Sequence, residues 1–233
     1  MFFNGANMAT KAKKKTVETA LVLRCCNADM SSKNGFVWPG VGEIATAPDW
    51  KDNTECGNGL HGWLYGQGDH STSDYFNKDD AKWLVVKVAF ADIRMLGGKC
   101  KFQAGEVVFV GSKSEAAAYI IANEPQAANV AVIGAVLECG EKGVVQGGAL
   151  SVLTGGDCAK MTGGYSATMT GGYSATMTGG YYATMTGGYY ATMHFQYYDG
   201  KRNRTVIAYV GEDGIEPNVA YRLNADHKIV KAD

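Results

Sequence analysis

The chain has 233 residues, with 22 Lys and Arg against 23 Asp and Glu, and its net charge of −1 argues against a protein that holds nucleic acid by charge. That length suffices for one large domain or two small ones with a real core. Glycine is frequent at 31 residues and proline scarce at 4, and the regular placement of the glycines reads as repeated turns rather than disorder.

Residues 1–15 carry Lys11, Lys13, Lys14 and Lys15 and read as a basic flexible tail without the apolar centre of a secretory signal. No apolar run approaches a membrane span. The cysteines at 25, 26, 56, 100, 139 and 158 form no C-x-x-C pair, so reduced thiols are expected.

Residues 16–128 read as an α+β head domain. Val17–Cys25, Trp83–Phe90 and Glu106–Gly111 are apolar, β-branched runs and predict strands. Asn27 to Asp80 is a long irregular stretch, and a connection this long is functional or hides short strands. Ser112 and Glu115 form a capping box that opens a helix through Ala116, Tyr119 and Ile120, and Glu124-Pro125 ends it.

From Asn129 to Gly200 the chain divides into nine octads: NVAVIGAV, LECGEKGV, VQGGALSV, LTGGDCAK, MTGGYSAT twice, MTGGYYAT twice and MHFQYYDG. Eight is even, so strand alternation keeps its phase from copy to copy. Position one (Leu137, Val145, Leu153, then Met161 to Met193) and position seven (Ala135, Gly143, Ser151, then Ala159 to Ala191) therefore share a buried side. Each octad reads as a short strand followed by a Gly-Gly turn, the glycines supplying positive φ. The tyrosines at 165, 173, 181 and 189 are expected to stack along the corner. Stacked coils of two octads, or of three, give a β-solenoid. Residues 201–233 leave the period, with strands at Thr205–Val210, Ala220–Leu223 and Lys228–Val230, and read as a β cap over an otherwise open sheet end.

Two regions offer candidate chemistry. In the head, His61 sits among glycines and reads as a substrate-positioning or catalytic group in a cleft walled by Trp38, Trp50 and Trp63, which would suit a nucleotide-like ligand, as in ADP-ribosyl transfer. A metal reading would join Cys56, His61 and His70, but paired close ligands and a fourth donor are missing, so neither metal nor cofactor is expected. No Ser-His-Asp order, P-loop or G-x-G-x-x-G after a strand is present, and the enzymatic signal is weak.

On the solenoid, Thr168 and Thr170, Thr176 and Thr178, and Thr184 and Thr186 form T-x-T pairs expected on successive strands. A flat threonine array suits ice binding, though threonine also simply suits exposed strands. Tyr182 and Tyr190 interrupt the flatness and make the outer face a candidate for self-association. A homo-oligomer or fibre formed through the solenoid is the leading expectation.

The segments Asn58-Gly59-Leu60-His61-Gly62-Trp63-Leu64-Tyr65-Gly66, Lys82-Trp83-Leu84-Val85-Val86, Leu96-Gly97-Gly98-Lys99 and Gly105-Glu106-Val107-Val108, followed by octads, resemble uncharacterised proteins of phages and gut bacteria. In those proteins a GLHG-containing domain precedes octad repeats and a short C-terminal β segment. The resemblance implies this order of parts, a phage or mobile-element association, and a location in the host cytoplasm or a virion; it implies no activity. The octads are also similar, more loosely, to the heads of trimeric autotransporter adhesins, which implies a trimer as one form of oligomer. The strict period of eight and the methionine at the aliphatic position depart from that pattern.

Overall fold

The structure, a computed structural model, describes residues 17–232; the basic segment 1–15 lies outside the described residues. The head is a seven-stranded antiparallel sheet of β1 (Thr19–Cys26), β2 (Ile44–Thr46), β3 (Leu60–Leu64), β4 (Lys82–Ala89), β5 (Arg94–Met95), β6 (Cys100–Phe102) and β7 (Ala104–Gly111). Their spatial order is β2-β7-β4-β1-β3-β6-β5. The central strands are apolar at nearly every position because both sheet faces are covered. Leu21, Leu23, Cys25, Trp63, Trp83 and Val85 face α1 (Lys113–Asn123) through Ala116, Ala117 and Ile120. Val22, Cys26, Leu84, Val86, Phe102 and Val107 face the opposite way, onto Trp38 and Ala45 of the long connection. That connection, expected as irregular, holds β2 and β3. The capping box at Ser112 and Glu115 is formed, with Ser112 N donating to Glu115 Oε2 at 2.9 Å.

Residues 136–198 wind into a flattened β-solenoid with two parallel sheets. One contains β8 (Val136–Cys139), β10 (Val152–Gly155), β12 (Thr168–Gly171) and β14 (Thr184–Gly187). The other contains β9 (Val144–Gln146), β11 (Lys160–Gly163), β13 (Thr176–Gly179) and β15 (Thr192–Tyr198). Every pairing joins residues sixteen apart, Met169 to Met185 and Met161 to Met177 for example, so a coil is two octads. The even period places the residues of positions one and seven inside, as expected: Leu153, Met169, Met177, Met185 and Met193 form one unbroken core with Ala175, Ala183 and Ala191. Methionine is flexible enough to fill the narrow space between two sheets without demanding one shape.

The turn differs from its expected form. The glycines of the pair do not hold the positive φ; position six does, at Ser166 (50°), Ser174 (51°), Tyr182 (62°) and Tyr190 (59°). Left-handed backbone is costly for such residues, and a corner ladder fixes it: Ser166 N donates to Tyr181 O at 2.8 Å and Ser174 N to Tyr189 O at 2.9 Å. The glycine pair is required for close approach instead. A Cβ on Gly163 would lie 2.5 Å from Ala167 Cβ inside the turn, and one on Gly164 would lie 2.6 Å from the backbone of Ala149 in the coil below.

The ninth octad runs straight on instead of turning. β15 extends to Tyr198 and pairs with β16 (Asn203–Tyr209) in an antiparallel hairpin. β17 (Ala220–Leu223) lies antiparallel against β14, and β18 (Ile229–Lys231) against β17. At this end both solenoid sheets thus finish on antiparallel cap strands, which stops the parallel stack from continuing. At the other end Val132, Ile133 and Ala135 belong to the head core, and Ile133 N donates to Gly66 O at 2.9 Å. Among the described residues no helix is long and apolar enough to cross a membrane.

Candidate functional site

The coil length decides what the solenoid presents. Since consecutive octads fall on opposite sheets, the T-x-T pairs do not follow one another on successive strands of one face. Thr168 and Thr170 lie in register with Thr184 and Thr186 on the first face, above Val152 and Thr154. Thr176 and Thr178 lie on the opposite face, between Lys160 and Thr162 below and Thr192 and His194 above. The first face therefore carries two complete threonine pairs in register above Thr154, and the second a single complete pair.

The tyrosines divide in the same way into two corner rows. Tyr165 meets Tyr182 edge-on at 5.5 Å in one row, and Tyr173 meets Tyr190 at 5.3 Å in the other. Stacking thus joins position five to position six of the coil above, not a single line of position-five rings. The rows differ at their foot, since higher in the first row Tyr181 and Tyr182 are still 38% and 56% exposed. The head covers the foot of the first, where His70 lies 4.3 Å from Tyr165 with Phe76 beside it. In the second row Tyr173, Tyr189 and Tyr190 remain 51%, 60% and 68% exposed.

In the head, a cavity of about 560 Å³ opens between the start of β3, the Ser32–Trp38 loop and the Thr72–Tyr75 loop. His61 and Trp38 line it. Trp50 and Trp63 do not, which corrects the expected three-tryptophan cleft. Alternation along β3 sends His61 and Trp63 to the same face, yet Trp63 is drawn into the helix-side core, where it stacks on Trp83 at 5.9 Å and donates Nε1 to Asp69 O at 2.9 Å. Trp50 instead covers Lys101, whose ammonium lies 5.5 Å from its ring. Gly62, between His61 and Trp63 on β3, cannot carry a side chain, because a Cβ would lie 2.6 Å from Leu23 O.

Burial, reinforced by the charges of Lys99, Arg24 and Lys101, brings the His61 pKa down to about 4, so its imidazole is neutral at physiological pH. Arg24, missed in the sequence because an arginine inside an apolar strand looked incidental, lies beside it and donates Nη1 to His61 O at 2.9 Å. Of the cysteine and histidines considered as metal donors, Cys56 shares the cavity with His61, while His70 is spent on Tyr165. Among the described residues no group of three or more His, Cys, Asp or Glu is placed to hold a metal.

Fold and surface together define the class: an α+β head carrying a short, capped, two-sheet β-solenoid, a repeat-built protein. Residues 20–122, nearly the whole head, match the family of a domain of unknown function, DUF7666. The chain is also similar to ice nucleation proteins. It is 39% identical to one from Pseudomonas fluorescens over 108 residues, which cover 46% of this chain and 9% of that protein. It is 38% identical to one from Pseudomonas syringae over 117 residues (49% and 10%), and 37% to one from Xanthomonas campestris pv. translucens over 111 residues (47% and 7%). The chain thus spans about a tenth or less of the length of these relatives. No solved structure matches the chain.

Proposed function

We propose that the solenoid is a rigid stem through which copies of this chain associate side by side, with the head displayed at one end. The observation that carries this reading is the exposed corner row of Tyr173, Tyr189 and Tyr190 on a scaffold whose last parallel strands, β14 and β15, are covered by cap strands. Short cap strands of reversed direction oppose continuation of the parallel stack end to end and favour lateral contact. A tyrosine offers about 200 Å², so the three exposures leave roughly 360 Å² of ring surface. That is about half of the ~800 Å² per partner in a stable interface, and the flanking Thr rows supply the remainder. An interface of this size makes a weak, concentration-dependent association. Sedimentation velocity and light scattering test it: the chain should oligomerise with rising concentration, and the triple variant Tyr173→Ser, Tyr189→Ser, Tyr190→Ser should not. A wild-type chain that stays monomeric at about 1 mM sinks the reading.

Contact with ice is the second reading, favoured by the in-register ladder of Thr168, Thr170, Thr184 and Thr186 and by the similarity to ice nucleation proteins. Hydroxyl columns are spaced ~7 Å along a strand and ~4.8 Å between coils. Two complete rungs form a small template, so a weak effect that grows with self-association is expected. Droplet-freezing assays decide it: freezing at the buffer's own temperature, unchanged by Thr168→Lys with Thr184→Lys, removes the reading.

A further inference from the structure

Buried polar groups in folded proteins are nearly always bonded, so an unbonded one asks what it is waiting for. Among the described residues three buried side-chain polar atoms have no partner, and two of them, Arg24 Nε and His61 Nε2, belong to residues lining the head cavity. The third, Ser151 Oγ, lies in the solenoid.

Arg24 is held rigidly. Nη1 donates to His61 O, Nη2 donates to Ser32 Oγ at 3.1 Å, and the guanidinium lies 5.3 Å from the Trp38 ring centre. None of the described ion pairs includes it. An arginine in a protein interior ordinarily has a carboxylate partner. Here its neighbours are the thiols of Cys25 and Cys26 and the ring of Tyr75.

The surroundings are cationic as well. Lys99 lines the cavity, and Lys101, fully buried, donates to Glu55 O at 2.9 Å and Gly57 O at 3.3 Å, which fixes the loop that closes this wall. Of the two carboxylates in the lining, Asp74 is paired with Lys33 at 2.6 Å and Asp49 accepts from Asn58 Nδ2 at 3.3 Å. Phe36, Trp38 and Tyr75 add planar apolar surface. A volume of about 560 Å³ is that of a small-molecule site.

We propose that this cavity binds a small molecule of nucleotide size whose oxyanion, phosphate or carboxylate, docks on the side of the cavity formed by Arg24 and Lys99, next to His61. The planar body of the ligand lies against Phe36, Trp38 and Tyr75. An oxyanion supplies what the site lacks: an acceptor for a pre-oriented guanidinium and a counter-charge for Arg24 and Lys99. The site is separate from the solenoid, and its fate does not depend on the association reading.

The test is calorimetric titration of the full chain with adenosine monophosphate, inorganic phosphate, benzoate and adenosine, accompanied by the NMR signals of Arg24 Nε–H and the His61 ring. Saturable binding of adenosine monophosphate or benzoate, shifting both signals, with adenosine at least tenfold weaker, is the expected result. Binding of adenosine monophosphate and phosphate without benzoate assigns the phosphate form, and the reverse assigns the carboxylate form. Arg24→Gln should abolish binding. Should that variant fail to fold, Lys99→Glu, at a partly exposed position, should still weaken the same probe at least tenfold. The proposal is overturned if no anionic probe binds at about 10 mM, if adenosine binds as tightly as its monophosphate, or if a folded Lys99→Glu binds unchanged.

Discussion

Substituting Gly163 by alanine tests why the glycine pair is there. The new Cβ would lie 2.5 Å from Ala167 Cβ, while the next neighbours, Met169 Sδ at 3.3 Å and Cε at 3.6 Å, belong to a flexible side chain. Overpacking of this kind costs about 1–3 kcal/mol. Gly163 is not at positive φ, so lost backbone freedom in the unfolded chain returns about 0.4–1 kcal/mol. A net loss of about 1–2 kcal/mol results. Ala167→Gly alone removes a fully buried methyl and adds a flexible residue, for a loss of about 1.5–2 kcal/mol. If the steric account is right, the two losses do not add. The double variant moves one methyl across the same gap and should recover about 1–2 kcal/mol relative to the sum. At about 2–4 °C per kcal/mol for a chain of this size, that is a few degrees in the thermal midpoint, readable by circular dichroism and confirmed by urea denaturation. The contrast is Gly164→Ala, whose Cβ meets the backbone of Gly148 and Ala149 at 2.6–2.7 Å, where no side-chain exchange brings relief. Additive losses in the Gly163 and Ala167 pair, or a neutral Gly163→Ala, refute the reasoning.

Acid should weaken the head through His61. Its pKa is about 4 when folded and 6.5 in the reference state, so between those values the unfolded chain binds the extra proton. The histidine's share of stability is complete above pH 6.5 and drains away as pH falls toward 4. The ring is only partly buried, so solvent screening limits the loss to about 1–2 kcal/mol. Urea denaturation at about pH 7 and pH 4.5 should show a smaller difference in His61→Gln than in wild type, and an equal difference contradicts the assignment. The buried carboxylate of Glu124 accepts from Leu21 N at 3.0 Å and Gln126 N at 3.1 Å, tying the helix end to the central strand. Glu124→Ala should cost about 2–3 kcal/mol by leaving both amides unmatched, and a loss below about 0.5 kcal/mol in the same urea assay would show that water replaces it.

The sequence alone determined whatever depends on local chemistry or on parity. An eight-residue period is an even number, so alternation alone put Met161 to Met193 and Ala159 to Ala191 inside and the threonines outside. The capping box at Ser112 needed only residues three apart. Parity does not say how many strands pass before the chain returns above itself, and that number was set by corner geometry: left-handed residues at position six, held by amide-to-carbonyl bonds between coils sixteen residues apart. From that single number followed the division of the Thr and Tyr rows between two faces and two corners. In the same way, only the tertiary structure could gather Arg24, Trp38, His61, Tyr75 and Lys99 around one cavity and send Trp50 and Trp63 elsewhere, because those residues come from separate segments whose meeting is decided by how the head sheet packs its two faces.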